Sequence, residues 1–97
     1  MLKGNNMKSI LKINKEGNRY WKNEKGKLHR DRGPAIEWND GSKEWYIEGK
    51  LHRLDGPAIE WSNGIKKWYK EDKEYTKEEF NKYVSNLKKI QIKDKIK

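Results

Sequence analysis

The chain contains no cysteine, only two prolines and one phenylalanine, and no long apolar run. Without thiols, neither a disulfide framework nor a thiolate zinc site can form, and a reducing compartment fits. No stretch approaches the ~18 apolar residues of a membrane span. The opening "MLKGNNMKSILKINK" lacks the apolar segment of a signal peptide, so the expectation is a cytoplasmic protein with no membrane partner. Hydrophobic residues are also scarce, at 32% against 40% charged, where about 25% charged is usual. That balance leans toward disorder, but disordered chains are poor in aromatics, and this one carries five Trp and five Tyr. A single folded domain over residues 1–97 is expected, with a thin core built from large rings.

What the sequence has in abundance is repetition. "GKLHRDRGPAIEWNDGSKEWY" at 26–46 is followed by "GKLHRLDGPAIEWSNGIKKWY" at 49–69, identical at 15 of 21 positions. A near-verbatim copy at a fixed offset marks a structural unit that stacks on its neighbour. Asp40-Gly41 and Asn63-Gly64 are favoured two-residue hairpin turns between strand-forming segments. With Asp40-Gly41 at the tip, Ile36 faces Trp45 and Trp38 faces Lys43. Alternation then predicts Ile36, Trp38, Trp45 and Ile47 on one face, with Ala35, Glu37, Glu44 and Tyr46 on the other. The second copy predicts Ile59, Trp61 and Trp68 together, opposite Ala58, Glu60, Lys67 and Tyr69. All indoles would then point the same way.

A degenerate capping hairpin is expected at 10–25, turning at Glu16-Gly17, with a linking turn "KNEKG" two residues longer than the matching "IEG". Repeat 1 spans 26–48 and repeat 2 spans 49–75. The periodicity then changes. Thr76 with Glu79 forms a capping box, and Phe80, Tyr83, Val84, Leu87 and Ile90 recur at helical spacing, predicting one amphipathic helix over 76–92. The basic tail 93–97 is compatible with strand, helix or a frayed arm. The fold class is therefore mainly β (α+β): a twisted antiparallel meander of about six strands built from ~23-residue hairpin repeats, plus a C-terminal helix. One helix is too narrow to cover the whole stripe, so part of it should stay open to a partner.

The segments "GKLHR", "DGPAIEW", "NG" and "KKWY" resemble a MORN-repeat variant, and are most similar to the LHRxDGPA-type repeat proteins of phages, large DNA viruses and low-GC bacteria. The resemblance covers about residues 10–75. It implies a twisted sheet of hairpins that acts as a binding or assembly surface, in a group whose bacterial members include antitoxin components. If the protein is phage-encoded, it would work in the host cytoplasm.

No catalytic set is present. His29-Arg30-Asp31 matches the start of a kinase catalytic loop, but the required Asn position holds Ile36, and no glycine-rich phosphate loop precedes it. His29 and His52 with Asp31 and Asp55 fall short of a zinc set at fixed spacing. Each His is more simply placed against a Trp ring, and each Arg beside a carboxylate. No enzyme activity, cofactor or metal is expected. The leading expectation is a protein that binds and occludes another protein, a nuclease or toxin being the candidate target, through Tyr46, Tyr69, Trp45, Trp68, Arg30 and Arg53. Net charge is +9, concentrated at the ends: nine basic against two acidic residues over 1–30, and seven against three over 76–97. This allows an alternative, nucleic-acid binding through Lys8, Lys12, Arg19, Lys22, Lys82, Lys88, Lys89 and Lys93. A third is self-assembly into a homodimer.

Overall fold

The computed structural model describes residues 8–96, with side chains through residue 89. Its elements run β1 (Ile10–Ile13), β2 (Arg19–Lys22), β3 (Ile36–Glu37), β4 (Lys43–Glu44), β5 (Tyr46–Ile47), β6 (Lys50–Leu51), β7 (Ile59–Glu60), β8 (Lys66–Lys70), β9 (Lys73–Tyr75) and α1 (Lys77–Ile96). Seven strands form one antiparallel sheet in the order β1-β2-β3-β4-β7-β8-β9, and β5-β6 form a second small sheet. The protein is mainly β, as the repeats imply, and measures 53 × 40 × 18 Å. At 18 Å it is little thicker than one sheet with its side chains.

The register differs from the sequence reading by one residue, and the difference inverts the faces. Glu37 pairs with Lys43 and Ile36 with Glu44; Glu60 pairs with Lys66 and Ile59 with Lys67. The cause lies in the hairpin tips. Trp38 N–H donates to Ser42 O and Trp61 N–H to Ile65 O, so each loop holds three residues rather than two. Asp40 Oδ1 accepts the Ser42 N–H at 2.8 Å and Asn63 Oδ1 the Ile65 N–H at 3.0 Å, local bonds that favour this wider turn. Gly41 (φ 95°) and Gly64 (φ 94°) close it in the left-handed region. Because side chains alternate with period two, one added loop residue moves every side chain of the hairpin's second strand to the other side relative to the first.

The upper face, as we label it, carries Trp21, Ala35, Glu37, Lys43, Trp45, Glu60 and Trp68; the lower face carries Tyr20, Ile36, Trp38, Glu44, Ile59, Trp61, Lys67 and Tyr69. The indoles are thus divided between both sides, contrary to the single stripe expected. The core is correspondingly slight. Among the described residues the buried apolar side chains are Ala35, Ile36, Ala58, Ile59 and Phe80.

Two-residue turns with positive φ do occur, but between repeats, at Glu48-Gly49 and Glu71-Asp72. Trp21 rather than Tyr20 matches Trp45, so the first linking turn is one residue longer, not two: Asn23 N–H reaches Lys27 O across three residues, where Ile47 pairs with Lys50 across two. Repeats are also stitched at their tips, where Asn39 N–H donates to Asn18 Oδ1 and Ser62 N–H to Ser42 Oγ.

The capping box forms as expected, with Thr76 N–H to Glu79 Oε1 at 2.9 Å and Glu79 N–H to Thr76 Oγ1 at 3.1 Å. The helix runs on through the tail to Ile96. It packs against β8 and β9 at one end of the sheet, where Phe80 is buried, and leaves the other repeats to cover themselves.

Candidate binding grooves

The Leu-His-Arg motif is how they do so. Arg30 lies 3.8 Å from the Trp21 ring centre and Arg53 3.8 Å from that of Trp45, so the guanidinium, not the imidazole, covers the indole. Arg53 Nε donates to Asp55 Oδ1 at 2.8 Å, and its Nη1 to Pro57 O at 2.9 Å and Glu60 Oε2 at 3.1 Å. Arg30 Nη1 reaches Pro34 O at 3.2 Å and Glu37 Oε2 at 3.4 Å. Glycine on the far side makes room: a Cβ at Gly56 would sit 2.8 Å from Arg53 Cζ, and one at Gly33 3.0 Å from Arg30 Cζ. Arg, Gly and Glu keep the same spacing in both copies, and the Trp stands one residue further back in the first because its linking turn is longer; the four together make a clamp.

Each histidine anchors the linking turn of the next unit. Glu48 N–H donates to His29 Nδ1 at 3.0 Å, and Glu71 N–H to His52 Nδ1 at 3.2 Å. These bonds help hold Glu48 (φ 51°) and Glu71 (φ 50°) in a conformation that costs about 1 kcal/mol or more for a residue with a Cβ. With Nδ1 accepting, the imidazole proton sits on Nε2, and that of His29 donates to Asp31 Oδ1 at 2.9 Å. In the second copy Leu54 stands at the matching position. Burial holds the His52 pKa below its ordinary value, with Glu71 opposing. Among the described residues no group of three or more His, Asp or Glu is placed to hold a metal ion.

Between the two Arg loops lies a groove of about 590 Å³ on the upper face, lined by Arg30, Arg32, Trp45, Ile47, His52, Arg53 and Leu54 among others. Three sequence-predicted residues, Arg30, Trp45 and Arg53, meet here. Trp68 does not; it lies under the helix beside Phe80 and Val84, along a second groove of about 470 Å³. Tyr46 and Tyr69 are on the lower face. Burial and Glu44 push the Tyr46 phenol well above its usual pKa, its hydroxyl donating to Glu44 Oε1 at 2.8 Å. Burial, followed by Glu74, raises that of Tyr69. The Tyr46 hydroxyl is thus committed within the sheet.

The groove residues missed from sequence are Arg32, Ile47 and Leu54. Leu54 is 40% exposed, and among the described residues the Arg32 side chain makes no hydrogen bond or ion pair. A signal existed: Asp31/Leu54 and Arg32/Asp55 are adjacent mismatches inside otherwise identical loops, the places where the clamp does not dictate the residue.

The lower face has its own cleft, about 360 Å³, lined by Trp38, Asp40, Ser42, Glu44, Trp61, Ser62 and Asn63. Glu44 is held from both sides, by Tyr46 and by Trp38 Nε1–H at 3.0 Å. Hydrogen bonds from Ser42, chiefly its backbone N–H, hold the Asp40 carboxyl below its usual range.

The residues considered for nucleic acid do not gather. Lys8, Lys12, Arg19 and Lys22 are at or beside the β1 and β2 end, whereas Lys82, Lys88 and Lys89 are on α1, which packs on β8 and β9, with β3, β4 and β7 between the two groups. Lys12 and Lys22 lie on the lower face and Arg19 on the upper, paired with Glu37 at 3.6 Å. Lys93 is on α1, its side chain outside the described part. Among the described residues no helix is long and apolar enough to cross a membrane. No family model matches the chain, nor does any curated protein or solved structure.

Proposed function

We propose that the chain is a non-enzymatic repeat protein of the MORN-variant kind that binds another protein and inhibits it by occlusion. Its manner would be that of an antitoxin, or of a phage-borne inhibitor of a bacterial defence nuclease such as an anti-CRISPR. The upper-face groove carries this reading. Its floor is apolar (Trp45, Ile47), its lip is an exposed Leu54, and Arg32 supplies a cation that makes no ion pair among the described residues. Such a site suits a partner segment that offers an apolar anchor beside a carboxylate, because rigid aromatic and arginine positions dominate contact energy, and complementary charge speeds encounter.

The test is affinity capture from the native host with wild-type, Leu54→Asp and Arg32→Glu proteins, in nuclease-treated and untreated lysate. A partner retained after nuclease treatment and at 200 mM salt, but lost from both folded variants, is the expected result. Retention by both variants contradicts the site, and loss on nuclease treatment or steeply with salt points to nucleic acid instead.

Self-association is a second reading, favoured by the edge strand β1, where Ile10, Leu11 and Ile13 are 56%, 43% and 58% exposed. Among the described residues β1 pairs on one side only, and an apolar edge of that kind is a template for another strand. Light scattering across a dilution series would reveal a concentration-dependent dimer.

A further inference from the structure

We infer that the lower-face cleft between Trp38 and Trp61 receives an arginine side chain from a protein partner. This site is separate from the upper-face groove, and neither reading depends on the other.

The geometry is set by the repeat. Trp38 follows β3 and Trp61 follows β7, with β4 between them, so their backbones are two strand spacings apart, about 10 Å. Both indoles line the cleft between those backbones, so a cation held there would have an indole on either side, the partners of a cation–π contact. The residue beneath is Ser42, small enough to leave the space open, and Glu44 stands on the same face beside it. Trp38 Nε1–H and the Tyr46 hydroxyl each bond one carboxylate oxygen of Glu44. A carboxylate oxygen has two acceptor positions, so each oxygen keeps a lone pair for an incoming donor. Asp40, kept ionised by Ser42, adds a second negative charge at the rim. The outer sides of the rings are already supported: Tyr20 meets Trp38 edge-on, with centroids 6.0 Å apart, and Lys67 Nζ is 5.5 Å from the Trp61 ring.

The chain itself indicates which cation fits. On the upper face it twice places a guanidinium against an indole and beside a glutamate, as Arg30–Trp21–Glu37 and Arg53–Trp45–Glu60. The lower-face cleft offers the same two partners, indole and glutamate, with no arginine of its own. Guanidinium is planar, forks onto carboxylates and sheds water more readily than ammonium, which suits a cleft lined by two indoles and a carboxylate.

The test follows the five indole N–H signals by NMR during titration with Nα-acetyl-arginine amide, alongside the matching lysine and citrulline amides. Trp38 and Trp61 are expected to shift saturably with the arginine probe, with affinity at least about tenfold lower for citrulline, while Trp21, Trp45 and Trp68 stay in place. Glu44→Gln and Trp61→Ala should abolish the response, and Leu54→Asp in the other groove should not change it. Circular dichroism establishes that each variant is folded. Asp40→Asn, which can retain its turn bonds, provides a milder second variant that should weaken binding. A response that is absent, equal for citrulline, or shared by all five indoles overturns the inference. Equal affinity for lysine overturns the choice of guanidinium.

Discussion

The two Leu-His-Arg loops have one sequence plan and two chemical outcomes. In the first, Asp31 bonds the buried His29, and Arg30 is left with Pro34 and Glu37. In the second, the acid has moved one place to Asp55 and bonds Arg53 instead, while Leu54 takes the position beside His52. One carboxylate therefore reinforces the histidine in one repeat and the arginine in the other. The clamp tolerates either arrangement, because its invariant parts are the indole, the guanidinium, the glycine and the glutamate.

Breaking the clamp at glycine should have the largest effect. Gly56→Ala forces a Cβ to 2.8 Å from Arg53 Cζ, and Gly33→Ala combines a 3.0 Å approach with φ +136°. Gly33→Ala, whose backbone conformation disfavours any Cβ, should destabilise by about 2–3 kcal/mol, and Gly56→Ala, which displaces the end of the Arg53 side chain, by about 1–2 kcal/mol, each read as a lower midpoint in urea. Adding Arg53→Ala to Gly56→Ala should return part of the loss, a non-additivity that marks direct contact. Next, Arg53→Lys should cost about 1–2 kcal/mol, and Arg30→Lys less, because Arg53 makes three bonds where Arg30 makes two. Equal losses would mean that the extra carboxylate contributes nothing.

The histidines sharpen the comparison with pH. Burial depresses the His52 pKa, so its contribution to stability is complete above the unfolded value near 6.5. It is lost as pH falls from there toward the lower folded pKa, since the unfolded chain binds the proton first. Urea midpoints for wild type and His52→Gln should converge with acidification through that window. The smallest effect is expected from Leu54→Asp, which gives His52 the neighbour His29 has. Stability at neutral pH should change by about 0.5 kcal/mol or less, while the His52 ring signals titrate at higher pH than in wild type.

Much of the architecture was legible from periodicity: the hairpin repeats, their offset, the Thr76–Glu79 cap and the change to a helix. The register was not. Asp40-Gly41 and Asn63-Gly64 read equally well as the tip of a two-residue turn or as the last two residues of a three-residue one. The deciding interactions are Asp40 to Ser42 and Asn63 to Ile65. Misplacing that single residue sent Trp45 to the wrong face and hid the pairing of Trp45 with Arg53, although both belong to the repeated motif. The candidate sites were legible in part for the same reason: Arg30, Arg53 and Trp45 were found by their type, whereas Leu54, Arg32 and the Trp38–Trp61 cleft depend on which side of the sheet each loop falls.

The division of the indoles between two faces underlies both proposed sites, and NOE contacts from the Trp45 ring protons test it most directly. Contacts to the Arg53 side chain, with none to the Ile36 methyls, are the expected pattern. Strong Trp45–Ile36 contacts without Arg53 would restore the two-residue turns and a single aromatic stripe, contradicting the clamp and both grooves.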